Sequence, residues 1–184
     1  VKPGEFIALI GESGSGKSSA LRVMCGLYPQ TSGDYNVGAN RLSYFEVQGF
    51  RSNFALLTSH STLNTGSLIA QLTDYNYSAW KIIPEDEQNL IRHNLRLLHI
   101  FDFIDVKDLE LDNITDVNLE NYSNGQIQRL NLARALISRP KVLFLDEATN
   151  GLDIALEYDI YNALNTIEGL SVVAATHHTD VLSC

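Results

Sequence analysis

The chain has 184 residues and a formal net charge of −9, with 45% hydrophobic and 19% charged residues. That length suits one domain, or one domain carrying an inserted subdomain, with room for a sizeable core. The acidic balance argues against the basic face with which nucleic-acid-binding proteins hold a phosphate backbone, so no nucleic-acid partner is expected.

In chain order, Lys2-Pro3-Gly4-Glu5 reads as a turn feeding an apolar strand, Phe6-Ile7-Ala8-Leu9-Ile10. Directly after it stands Gly11-Glu12-Ser13-Gly14-Ser15-Gly16-Lys17-Ser18, followed by a helical pattern from Ser19. A strand, a glycine-rich loop and a helix in this order make a phosphate-binding loop. Glycines let successive N–H groups turn inward, and the helix N-terminus adds partial positive charge. Lys17 is expected to reach the β- and γ-phosphates and the Ser18 hydroxyl to ligate Mg²⁺, with residues 11–19 forming the nucleotide site. The helix is expected to run to about Leu27, stopped by Gly26 and Pro29, with Cys25 on its apolar face as a core residue.

Residues 34–37 and 41–47 read as hairpin-like strands, and Phe54-Ala55-Leu56-Leu57-Thr58 as another buried strand. The texture then turns helical: residues 67–72, then an acidic helix start at Pro84-Glu85-Asp86-Glu87 with Leu90, Ile91, Asn94, Leu95 and Leu98 behind it. His60, His93 and His99 lack metal-ligand spacing. Residues 111–121 read as a loop and 126–137 as a helix presenting Ile127, Leu130, Ala133 and Ile137 on one face, ended by Pro140. A strand, Val142-Leu143-Phe144-Leu145, leads into Asp146-Glu147. Carboxylates at the carboxyl end of such a strand sit where open α/β sheets bind ligands. Asp146 is expected to hold Mg²⁺ through water and Glu147 to act as general base on the attacking water. A helix over 154–167 and a strand over 171–175 complete the pattern. Strands alternating with helices predict an α/β fold with a mostly parallel central sheet. Cys25 and Cys184 form no CxxC pair, which argues against a disulfide framework or zinc site and for the reducing cytoplasm. No apolar run reaches the length of a membrane span, so any membrane role is expected to come through a partner or through segments outside this stretch.

One motif carries a resemblance. Tyr122-Ser123-Asn124-Gly125-Gln126 opens the helix that continues Ile127-Gln128-Arg129-Leu130-Asn131-Leu132-Ala133-Arg134-Ala135-Leu136. It resembles the LSGGQ signature and QRxxxARAL helix of the ATP-binding cassette (ABC) superfamily, and the order of motifs along the chain matches too. Ala148-Thr149-Asn150-Gly151-Leu152-Asp153 is similar to the family's D-loop, and Thr176-His177 to its H-switch. Leu63-Asn64-Thr65-Gly66-Ser67-Leu68 resembles a stretch typical of exporter-type cassettes, and Thr115-Asp116-Val117 the exporter X-loop.

The resemblance implies a P-loop NTPase fold with a small antiparallel β part and an inserted helical subdomain. Residues 1–65 and 124–184 would form the ATPase core of a truncated nucleotide-binding domain, and 66–123 the helical part. It implies ATP and Mg²⁺ as ligands and ATP hydrolysis that drives transport. Lys17, Glu147 and His177 would be catalytic, the last against the γ-phosphate. Ser123, Asn124, Gly125 and Gln126 would act in trans on a second nucleotide-binding domain, identical or different. Asp153 would contact across that dimer, and a transmembrane domain would hold the soluble cassette at the cytoplasmic face of the membrane. A DNA-repair or translation ATPase of the same superfamily, or a regulatory cassette with little turnover, are the other classes that fit.

Four departures carry expectations of their own. Ser59 stands where the family has its Q-loop glutamine, a metal contact, which implies slower or less coupled hydrolysis. Asn124 replaces a signature glycine, which implies a weak site in trans. The adenine-stacking aromatic and the closing strands of the family have no counterpart, as in a piece of a longer polypeptide with membrane spans upstream.

Overall fold

The structure is a computed structural model, and it describes residues 1–37, 39–43, 46, 51–63, 67–74, 80–105 and 121–176. The chain divides into two compact units. One comprises Val1–Thr58, Pro140–Glu147 and Leu164–Cys184, the other Ser59–Arg139 and Ala148–Ala163. Both boundaries read from the sequence, at 66 and 123, fall inside the second unit.

The first unit is built on a parallel sheet. Strands β1 (Phe6–Ile10), β4 (Phe54–Thr58), β5 (Val142–Asp146) and β6 (Ser171–Thr176) lie in the order β1-β6-β5-β4. Each is an apolar run without polar alternation, as expected where helices or loops cover both faces of a parallel sheet. The register pairs Ile10 with Thr176, Asp146 with Ala175 and Thr58 with Asp146, so all four strands end at one edge. Helix α1 (Lys17–Met24) packs Leu21 and Cys25 onto Phe144, Val173 and Ala175, and the Phe54 and Phe144 rings meet edge to face at 5.7 Å. Cys25 is thus a core residue, and burial pushes its thiol above the usual cysteine range.

Helix α1 stops three residues short of the expected Leu27. Gly26 has φ +72, its N–H donates to the Val23 carbonyl (3.0 Å), and the Leu27 N–H donates to the Arg22 carbonyl (2.8 Å). This paired closure satisfies the last carbonyls and needs the left-handed residue that glycine supplies. Strands β2 (Tyr35–Val37) and β3 (Asn40–Leu42) form the small antiparallel pair. β3 is shorter than the expected 41–47. Just past it, the Ser43 N–H donates to Glu46 Oε2 (2.7 Å) and the Glu46 N–H to Ser43 Oγ (3.4 Å).

The second unit is helical. Helix α2 (Leu68–Leu72) is capped by Ser67, whose Oγ accepts from the Ala70 N–H. Helix α3 (Glu85–Leu97) opens on Glu85, Asp86 and Glu87, which complement the positive end of the helix dipole, and buries Ile91 and Leu95. Helix α4 (Asn124–Ile137) packs against both. It buries Leu130, Asn131, Leu132, Ala133, Ala135 and Leu136, while Ile127 and Ile137 are half-buried. The single apolar face expected of it is therefore a burial round most of its circumference, which small alanine side chains allow. Arg129 stacks its guanidinium over Phe103 (4.6 Å) and donates to the His99 carbonyl (2.8 Å), tying the 99–103 turn to α4. Helix α5 (Ile154–Asn165), whose residues up to Ala163 belong to this unit and whose last two belong to the first, ends two residues earlier than expected.

Among the described residues no helix is long and apolar enough to cross a membrane, and no cluster of His, Cys, Asp or Glu is arranged to hold a metal ion by itself.

Candidate active site

The first unit gathers the P-loop, Asp146 and Glu147 at the carboxyl edge of its sheet. The loop 11–16 leaves β1 and enters α1 with Gly14 at φ +81 and Gly16 at φ +95. Gly16 occupies the N-cap position of α1 and supplies no side-chain cap; the first intrahelical bond runs from the Ala20 N–H to the Gly16 carbonyl (2.9 Å). Helix geometry therefore leaves the N–H groups of Lys17, Ser18 and Ser19 without intrahelical acceptors, the arrangement that receives an anion. The Lys17 ammonium bridges the carbonyls of Gly11 (2.7 Å) and Glu12 (2.9 Å), which holds its charge over the loop.

Ser18 Oγ donates to Asp146 Oδ1 at 2.7 Å across 128 residues of sequence. Asp146 is buried at the end of β5. A hydroxyl oxygen and a carboxylate oxygen held together in this way are the hard donors that Mg²⁺ takes, and such an ion keeps several waters besides. The donor set fits the metal that the sequence implies. Beside it Glu147 has φ +53, and its N–H donates to the Ala175 carbonyl at 3.1 Å. One more ladder bond is made, and the chain then turns through a left-handed residue. That conformation costs a glutamate about 1–3 kcal/mol, a kind of strain that clusters at active sites.

The second unit holds the signature and D-loop residues. Ser123 is the N-cap of α4: its Oγ accepts from the Gln126 N–H (3.2 Å), and its own N–H donates to Gln126 Oε1 (2.8 Å). Ser123 and Asn124 are exposed, whereas Gly125 is buried. Asp153 Oδ1 accepts from the Leu156 N–H at 3.0 Å, so this residue caps α5 locally. Ser59 follows β4 directly in the chain and belongs to the second unit. His177, Thr115-Asp116-Val117 and Asn64-Thr65-Gly66 lie outside the described residues.

Sequence reasoning missed Glu157 and Tyr161, and it gave no role of their own to Gln128 of the signature helix and Thr149 of the D-loop stretch. Thr149 donates to Glu157 Oε1 at 2.6 Å and lies 2.8 Å from the Tyr161 hydroxyl, all three being buried. A signal was present for two of them: Glu157 and Tyr161 stand four apart on α5, beside Ile160 and Leu164 on its buried side. Gln128 opens the QRxxxARAL match, which marks the helix but not the bond that Gln128 accepts from Gly151.

With this geometry in place, the comparison with known proteins is decisive. The ABC transporter family model matches residues 1–150. The chain belongs to the ABC transporter family. It is 31% identical to an ABC-type transporter MDR1 of Aureobasidium melanogenum, over 99% of this chain and 13% of the relative. It is likewise 31% identical to an ATP-dependent lipid A-core flippase of Dechloromonas aromatica, over 99% of this chain and 30% of the relative. The chain thus spans less than a third of either relative. The fold matches a solved bacterial Atm1-family ABC exporter with ATP bound, with a TM-score of 0.78 at 21% identity over 98% of this chain and 31% of that one. The architecture is that of a P-loop NTPase, as the sequence implied. This chain is the ATP-binding domain of that family. The relatives named here are transporters and flippases, and none is a DNA-repair or translation ATPase.

Proposed function

We propose that this ABC domain powers movement of a substrate across a membrane, as the ATPase of an exporter-type transporter. The observation that carries the reading is the Ser18–Asp146 contact at 2.7 Å beside Glu147, at the edge where the P-loop opens. The P-loop amides and Lys17 hold the phosphates of ATP. Ser18 and Asp146 hold Mg²⁺, which neutralises charge on the β- and γ-phosphoryl oxygens when bound. Glu147 orients and deprotonates the attacking water, and His177 contacts the γ-phosphate. Catalysis of this kind is positioning and electrostatics, with little covalent work for the protein.

The signature residues Ser123, Asn124, Gly125 and Gln126 act on ATP held by a second nucleotide-binding domain, and Asp153 contacts that partner. ATP binding closes the dimer and hydrolysis reopens it. A transmembrane domain reads this motion and keeps the cassette at the cytoplasmic face of the membrane. Ser59, in the place of the Q-loop glutamine, slows turnover or loosens its coupling.

The test is the solution mass of the Glu147→Gln protein by light scattering, with and without saturating Mg-ATP. An ATP-dependent doubling of mass is expected; a mass that ignores ATP overturns the sandwich mechanism for this chain alone. Phosphate release left unchanged by Glu147→Gln would make the domain a regulatory cassette.

A further inference from the structure

Residues 148–153 lead into α5, and within the second unit they are held along their length. The Thr149 hydroxyl has one proton, and it goes to Glu157 Oε1 at 2.6 Å; the Tyr161 hydroxyl, 2.8 Å away, is therefore the donor to Thr149 Oγ. Burial pushes the Tyr161 hydroxyl above the usual tyrosine range, which keeps that donor protonated. Glu157 is 0% exposed. A buried carboxylate is costly unless its hydrogen bonds are made, and here it accepts from the loop. The loop closes on itself through the Leu152 N–H and the Thr149 carbonyl (2.9 Å) and ends on the Asp153 cap.

Its other side faces α4. The Gly151 N–H donates to Gln128 Oε1 at 3.0 Å. A Cβ on Gly125 would stand 2.8 Å from the Gly151 carbonyl oxygen and 3.1 Å from a Leu152 methyl, so the first turn of α4 lies against the loop backbone with no room for a side chain. A Cβ on Gly151 would stand 2.8 Å from Gln128 Oε1, so the glutamine is seated equally closely. The helix that opens on Ser123 and the loop that ends on Asp153 thereby share one backbone contact and one side-chain clasp.

We propose that Gln128 is a positioning residue for ATP hydrolysis. Its amide clasps the 148–153 loop to the first turns of α4, so that Ser123, Gly125 and Asp153 are presented to the partner domain as one block. The inference rests on the reading that these residues meet a nucleotide held by another domain. Gln128 is half-buried and neutral; it belongs to the second unit and the P-loop residues to the first.

The experiment is Gln128→Ala and Gln128→Glu in the full-length protein. It compares kcat, KM for ATP, equilibrium ATP binding and Tm, and follows ATP-dependent dimerisation in the Glu147→Gln background. Gln128→Ala is expected to lower kcat by at least about tenfold, since small misplacements of a reacting constellation are costly. It is also expected to weaken the Mg-ATP dimer, with ATP binding and Tm unchanged. Gln128→Glu keeps an acceptor for the Gly151 N–H and is expected to restore both. An alanine variant with parental kcat overturns the proposal. So does a fall of kcat, ATP binding and Tm together, which marks a structural prop, or a Gln128→Glu protein no better than alanine. If the Glu147→Gln parent ignores Mg-ATP both alone and with any second cassette that copurifies with it, the sandwich reading fails and takes the inference with it. A parent that dimerises beside an indifferent alanine variant sinks the inference alone.

Discussion

At the residue scale, two left-handed backbone positions flank the chemistry and call for opposite substitutions. Gly16, at φ +95, opens α1. An L side chain there costs about 1–2 kcal/mol in conformation alone. Gly16→Ala is therefore expected to lower both Tm and affinity for a fluorescent ATP analogue. Glu147, at φ +53, already carries that strain, so Glu147→Gln keeps the backbone and changes only the charge. Its phosphate release is expected to fall by about 10²–10⁴-fold, the usual worth of a positioned general base, with ATP binding and Tm retained. Loss of ATP binding in that variant would assign Glu147 to the phosphates instead of the water. Ser59→Gln has the opposite sign: restoring a longer side chain after β4 is expected to raise kcat, and an unchanged kcat would show that Ser59 does not limit turnover. Much of this site was legible in the residues because the P-loop is contiguous and Asp146-Glu147 ends an apolar strand. The Ser18–Asp146 bond was not, since its partners are 128 residues apart and only the parallel sheet brings them together.

Elements were legible where one physical signal dominated. β1, β5 and β6 are short apolar runs bounded by turn residues, and their bounds agree with the sequence reading to within a residue. Ends set by hydrogen bonds between particular residues were harder. The close of α1 depends on Gly26 adopting a positive φ, which hydrophobic periodicity does not report. The start of α4 belongs to the same class. Ser123 and Gln126 satisfy one another there, so Ser123→Ala removes the cap and leaves the Gln126 side chain without its reciprocal bond. A loss of about 1 kcal/mol follows, with a Tm lowered by about 2–4 °C in a domain of this size. Ser123→Asp keeps the cap and is expected to hold Tm, yet it sets a carboxylate at the helix end where the proposed function requires a phosphate. It should abolish ATP-dependent dimerisation. Retained dimerisation in Ser123→Asp would mean that this helix end does not face a nucleotide.

For the whole molecule the open question is with which chain this domain pairs, and Asn124 decides it. Asn124 is the first helical residue of α4, exposed and in ordinary helical conformation, so the fold places no demand for glycine there. Replacing it with glycine at a helix end, where the chain is less constrained than in a helix interior, is expected to cost well under about 1 kcal/mol. Any large effect of Asn124→Gly must therefore arise at an interface. If the domain pairs with itself, both nucleotide sites carry Asn124, and Asn124→Gly in the Glu147→Gln background should tighten the Mg-ATP dimer in light scattering. If it pairs with a different domain, the site built on its own P-loop is closed by the partner's signature and only the other site carries Asn124. Both variants then stay monomeric alone, and copurification with a second cassette accompanies ATP binding. A Mg-ATP dimer equally tight with Asn124 and with glycine would remove the asymmetry argument, because the added side chain would not hinder the approach to phosphate.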